Sequence, residues 1–186
     1  MAGPIVSKVC AAIGLVLVTV PAMGAGPIEM PAGMTRCDFS AWSQDTTPQG
    51  LNVRAAPRAN APVIARLTEQ KEATGSFVEF EVIGASNGWF LIDHASHGQY
   101  GDPPPRTPVY AGKGWVSGSL VGGQLFSGKL YDAPSETARS RPYGKDTDAV
   151  QVKRVLDCHG EWVKVEADIG NGWVHGLCSN QATTCV

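Results

Sequence analysis

The residues of this chain that could do chemistry are few and scattered. Cys158 and His159 are adjacent and have the side-chain types of a thiolate nucleophile and its base. A catalytic Cys–His pair is made in space, so adjacency alone builds no site. His94 and His97 have the His-x-x-His spacing that sets two metal ligands on one face of a helix. The stretch around them ends in three consecutive prolines at 103–105, which rules out that rigid frame. His159 and His175 lie much further along. A metal site needs three or four converging ligands with outer support, and neither zinc nor copper is expected. Ser86 has glycines two residues to either side, but Ser86-Asn87-Gly88 reads as a hairpin turn; there is no phosphate-binding loop, His-Glu-x-x-His or dinucleotide fingerprint. The expectation is a protein that is not an enzyme and carries no cofactor.

The cysteines point to bonds rather than catalysis. Cys10 sits in an apolar run over residues 9–20 that follows Lys8. That run is shorter than the about 20 residues needed to cross a bilayer. Small residues follow at 22–25, so residues 1–24 read as a signal peptide, cut after Ala22 or Gly24. Cys10 lacks a lipobox context. The mature protein is expected to be exported, periplasmic or extracellular, with no membrane anchor. Its four cysteines, Cys37, Cys158, Cys178 and Cys185, then face an oxidising compartment, where an even number reads as two disulfides. A zinc site is the rival reading, weakened by the absence of Cys-x-x-Cys. Three connectivities are open. The pairing expected is Cys158–Cys178 with Cys37–Cys185, one bridge inside the second half and one crossing to it. The net charge is −2 and no basic cluster stands out, which argues against nucleic acid as a partner.

Plentiful Gly and Pro, 22 and 13, lie between short apolar runs and predict an all-β chain of many turns. Residues 25–36 read as an extended lead-in without regular structure. Residues 37–42 are a candidate strand. In residues 50–57, Leu51 and Val53 share one strand face while Asn52 and Arg54 take the other, and Pro57 ends the ladder. Residues 63–67 are a second apolar stretch. Val78, Phe80 and Val82 alternate with Glu79 and Glu81, predicting a half-buried strand with both glutamates outward. Asn87 and Gly88 then make a hairpin turn into a strand that starts at Trp89. Residues 94–108 read as an irregular Pro/His-rich loop, after which Gly112, Gly114 and Trp115 resume a strand.

The second half repeats this order. Val82, Ile83 and Trp89 match Val155, Leu156 and Trp162 in spacing, and Gly114-Trp115-Val116 matches Gly172-Trp173-Val174. Ala56-Pro57 matches Ala133-Pro134. A repeat this consistent in order predicts two copies of one unit, over residues 37–122 and 125–186. The loop at 94–108 is an insertion specific to the first copy. Leu130-Tyr131-Asp132 replaces Val53-Arg54-Ala55 in the second.

Residues 50–122, with Asn52-Val53-Arg54 before a proline and two later tryptophans each following a glycine, resemble a bacterial SH3-type (SH3b) domain. The second copy is similar more weakly, through the repeat. The resemblance implies two tandem small SH3-like β-barrels after the signal peptide. It further implies a binding module for cell-wall peptides such as those of peptidoglycan. Alternatives are a module for another envelope protein, or a structural secreted protein without a small ligand. The tryptophans could fill the barrels or line a groove for extended peptides. The groove is expected in the first copy, rimmed by Trp89, Tyr100, Tyr110 and Trp115, with Asn52 and Arg54 solvated or at its edge.

Overall fold

Thirteen short strands account for nearly all regular structure in the computed structural model, which describes residues 27–68, 77–98, 106–126, 128–143 and 149–179. The expected signal peptide, Tyr100, the prolines at 103–105 and Cys185 lie outside them. The first half holds β1 (Thr35–Ser43), β2 (Leu51–Arg54), β3 (Val63–Leu67), β4 (Phe77–Ser86), β5 (Trp89–Gly98), β6 (Arg106–Ser117) and β7 (Val121–Gly122). One 3₁₀ turn at Gly118–Leu120 precedes β7, and no α-helix occurs among the described residues. The second half holds β8 (Gln124–Leu125), β9 (Gly128–Tyr131), β10 (Ser140–Tyr143), β11 (Val150–His159), β12 (Trp162–Ala167) and β13 (Gly170–His175).

The repeat in the sequence is a repeat of topology. The first sheet runs β3-β2-β6-β5-β4-β1-β7 and the second β10-β9-β13-β12-β11-β8. Six strands correspond one for one, with short β8 standing where β1 stands. Arg54 lies opposite Trp115 as Tyr131 lies opposite Trp173. Even the loop after β2 is duplicated after β9. Ala55 N–H donates to Pro62, Arg58 to Ala56 and Ala61 to Arg58, as Asp132 donates to Arg139, Ser135 to Ala133 and Ala138 to Ser135. Each curled sheet encloses its own inward side chains. Leu51, Val53, Val82, Phe90, Ile92 and Val116 are buried in the first, and Leu130, Val155, Val163, Val165 and Val174 in the second.

Local rules explain the pieces. Asn87 and Gly88 both have positive φ, 51° and 77°, which is the two-residue turn whose twist suits a hairpin. Gly114 and Gly172 lie where a core side chain passes under the strand. A methyl group on them would sit 2.3 Å from Val53 Cγ1 and 2.5 Å from Leu130 Cγ, so neither position has room for a side chain.

The two sheets are not independent. Their buried residues form one continuous apolar cluster. Cys37 of β1 is bonded to Cys158 of β11. Asp38 N–H donates to Gly160 O at 2.8 Å, Gly160 N–H to Arg36 O at 2.9 Å, and Gln44 Nε2 to Val152 O at 2.6 Å. The expected pairing of Cys158 with Cys178 and Cys37 with Cys185 is therefore corrected. One bridge does cross from Cys37 to the second half, but it lands on Cys158. Packing brings β11 against β1, whereas Cys178 pairs with β8 through two backbone bonds to Gln124. Cys178 is also disulfide-bonded.

Two further expectations change. Residues 94–98 and 106–108 belong to β5 and β6 and prolong their hairpin, so the irregular part of the insertion is shorter than 94–108. His94, at φ 63°, marks a bulge that lets the ladder continue. Pro108 fits because β2 meets β6 only at Trp115, leaving β6 an edge strand further up, where a missing N–H is harmless. In β4, Val78, Phe80 and Val82 are buried and Glu81 is exposed as the alternation predicts, but Glu79 is buried. Gly98 makes room for it: a methyl there would meet the Glu79 carboxylate at 2.7 Å.

Candidate functional site

The structure separates the residues expected to rim one groove. Trp115 is fully buried and makes no surface wall. Its indole Nε1–H donates to Glu29 O at 2.8 Å. Trp89 is half-buried and lines a small cleft of about 80 Å³ with Asn52, Arg54, Ser117 and Leu120. Arg54 is spent on its own loop, donating from Nη1 to Ala61 O at 2.7 Å, and Asn52 Oδ1 accepts from Arg66 at 3.1 Å. Tyr110 borders a different cleft of about 390 Å³, with His94, Ser96, Glu81 and Pro108 around it. Its hydroxyl donates to Lys113 O at 2.8 Å. Burial, and secondarily the Asp93 charge, raises its pKa above the usual phenol value. Tyr100 lies outside the described residues.

The described histidines and cysteines stand apart, each with its own partners. His94 is exposed and pairs with Asp93 at 2.6 Å. His97 is buried, with Nε2 on Thr68 O at 2.8 Å and Nδ1 without a partner among the described residues. The sulfur of Cys158 is bonded to Cys37, so it is no nucleophile for His159. Among the described residues no group of three or more candidate ligands could hold a metal.

Trp115 is buried because the lead-in crosses the outer face of the first sheet. Glu29 N–H donates to Ala55 O at 2.8 Å while Glu29 O receives the Trp115 indole. The Glu29 carboxylate meets Arg58 at 2.6 Å. Ile28, Pro31 and Met34 turn half-buried sides to the protein, and Met30 points outward, 54% exposed. At the far end Met34 covers Gly84, where a methyl would come within 2.7 Å of its sulfur. Gly84 and Trp115 both lie opposite Leu91, so the strap spans the row Trp115, Leu91, Gly84. Leu91 points outward by strand alternation, yet it is fully buried.

The same row on the second sheet is Tyr131, Trp173, Lys164 and Asp157. No lead-in crosses it among the described residues. Trp173 is half-exposed, and Lys164 Nζ lies 5.9 Å from its ring centre, in cation–π range. Beside it Tyr131 meets Trp162 edge to face at 5.1 Å, and Trp162 meets His175 at 5.0 Å. His175 Nε2 lies 3.2 Å from Glu161. The second copy therefore gathers partly exposed aromatic rings beside Lys164, although the first carries the fuller sequence motif. Aligning Tyr131 with Arg54 was the available signal. The strap gave none, because nothing in residues 27–34 names the surface they cover.

No protein-family model and no curated protein sequence matches the chain. The solved structure of NlpC1 from Trichomonas vaginalis is similar at 10% identity, with a TM-score of 0.29, over 81% of this chain and 50% of that one. The chain thus spans half the length of that protein, and an overlap so loose carries no argument.

Proposed function

We propose that this is an exported, non-catalytic binding module that takes extended peptides of the cell envelope, with peptidoglycan peptides the leading ligand class. One observation carries the reading: the first sheet already holds an extended segment, residues 27–31, on its outer face. It does so with an indole N–H donated to the segment's backbone carbonyl and a backbone carbonyl that accepts the segment's N–H. Neither bond depends on the side chain of the bound segment, which is how SH3-like barrels accept varied extended peptides. Aromatic rings add contact area at low entropic cost. Envelope peptides are extended, polar and rich in carboxylates, which fits a shallow face better than a deep pocket.

The test is sedimentation of the mature protein with purified sacculi. The expected result is pelleting that disappears when the sacculi are first digested with muramidase. Protein that stays in the supernatant with intact sacculi would overturn the envelope-wall reading, and specific capture of one envelope protein would replace it.

A further inference from the structure

The two copies differ in a respect that bears on binding: the first is covered by its own strap, and no strap covers the second among the described residues. We propose that the outer face of the second sheet, along Asp132, Trp173, Tyr131 and Lys164, is a binding site for an extended peptide carrying a carboxylate. The inference rests on the peptide-binding reading above and names its site and ligand chemistry.

The strap on the first sheet supplies the template. Its anchor points are the Trp115 indole and the Ala55 carbonyl. Their counterparts are fixed by register. Trp173 lies opposite Tyr131 as Trp115 lies opposite Arg54. Asp132 follows Tyr131 as Ala55 follows Arg54, and both donate their N–H across the same duplicated loop. Among the described residues neither the Trp173 indole N–H nor the Asp132 carbonyl has a hydrogen-bond partner. An extended backbone laid on this face would meet one donor and one acceptor in the geometry that Glu29 meets on the first sheet.

The substitutions between the copies set the ligand chemistry. Leu91, beneath the strap, becomes Lys164. Lys164 has no ion pair among the described residues, while its neighbours do: Arg154 with Glu166, Lys153 with Asp168 at 2.5 Å, Arg139 with Asp132 at 2.6 Å. Asp157 lies opposite Lys164 in the ladder, but its carboxylate accepts the Cys158 N–H at 2.9 Å. A carboxylate on the ligand would therefore find in Lys164 a cation partly desolvated against the Trp173 ring. On the first sheet Arg58 fills this role for Glu29; its counterpart, Ser135, carries no charge. The row ends at Asp157, on a cleft of about 420 Å³ that also touches Ala32 and Gly33, so a ligand has space to continue.

The experiment uses ¹⁵N-labelled mature protein and a capped synthetic peptide with the sequence of residues 27–34. The expected result is a dose-dependent shift of the Trp173 indole resonance with the Trp115 indole unmoved, because Trp115 is already bound. Lys164→Glu should weaken the affinity at least about tenfold and Lys164→Arg should preserve it. Lys164 is partly exposed, and unchanged thermal midpoints would exclude misfolding. No shift at Trp173, or a shift at Trp115 alone, would overturn the site. Equal affinity of Lys164→Glu would overturn the carboxylate contact. If wild type pellets with sacculi and Lys164→Glu pellets equally, the envelope reading stands and this site falls.

Discussion

Replacing Cys37 and Cys158 together by alanine should destabilise the protein strongly. The two cysteines are 121 residues apart, and the chain-entropy relation gives about 5 kcal/mol for closing so long a loop. Native disulfides in small domains are worth about 2–5 kcal/mol, so a loss of about 3–5 kcal/mol is expected. In a chain of this size that lowers the thermal midpoint by roughly 6–20 °C. The bridge also ties β1 to β11 inside a core common to both sheets. Unfolding should accordingly remain one transition, at a lower temperature. The assay is differential scanning calorimetry of wild type and the double variant, both without reductant so that the bond at Cys178 is kept. A midpoint shift below about 3 °C would refute the loop-closure argument. Two resolved transitions in the wild type would refute the shared core.

Gly114→Ala and Gly172→Ala should each destabilise by about 1–3 kcal/mol or more, because the added methyl meets Val53 at 2.3 Å and Leu130 at 2.5 Å. Urea melts check this, and a neutral effect at either site would show that the strand can move aside. Tyr110 and Tyr143 both have pKa values raised above 10.0, mainly by burial, with smaller contributions from Asp93 and Tyr131 respectively. The unfolded chain, whose phenols ionise near 10.0, releases these protons first. Their contribution to stability is therefore complete below that pH and is lost as pH rises through the folded-state values. Tyrosinate absorbance should show late ionisation in the folded protein, and early ionisation would contradict the burial.

The class of the fold was legible because its causes are local. Alternation placed Leu51, Val53, Val78, Phe80 and Val82 inward, and Asn87-Gly88 set a hairpin turn by its allowed φ. The repeated order of motifs around Trp89 and Trp115 and around Trp162 and Trp173 foretold two sheets of like topology. What the spacing could not carry was anything depending on a contact between distant segments. Glu79 breaks its alternation because Gly98, on a neighbouring strand, leaves room for a carboxylate. Cys37 finds Cys158 because β11 packs on β1, a fact of how the two sheets share a core. The same holds for the candidate site. Trp115 and Trp173 have almost identical neighbours in sequence, yet one is fully buried and the other partly exposed. The difference is made by a strap of irregular backbone more than eighty residues earlier in the chain. Periodicity fixes which face a side chain takes; only the tertiary structure decides what lies over that face.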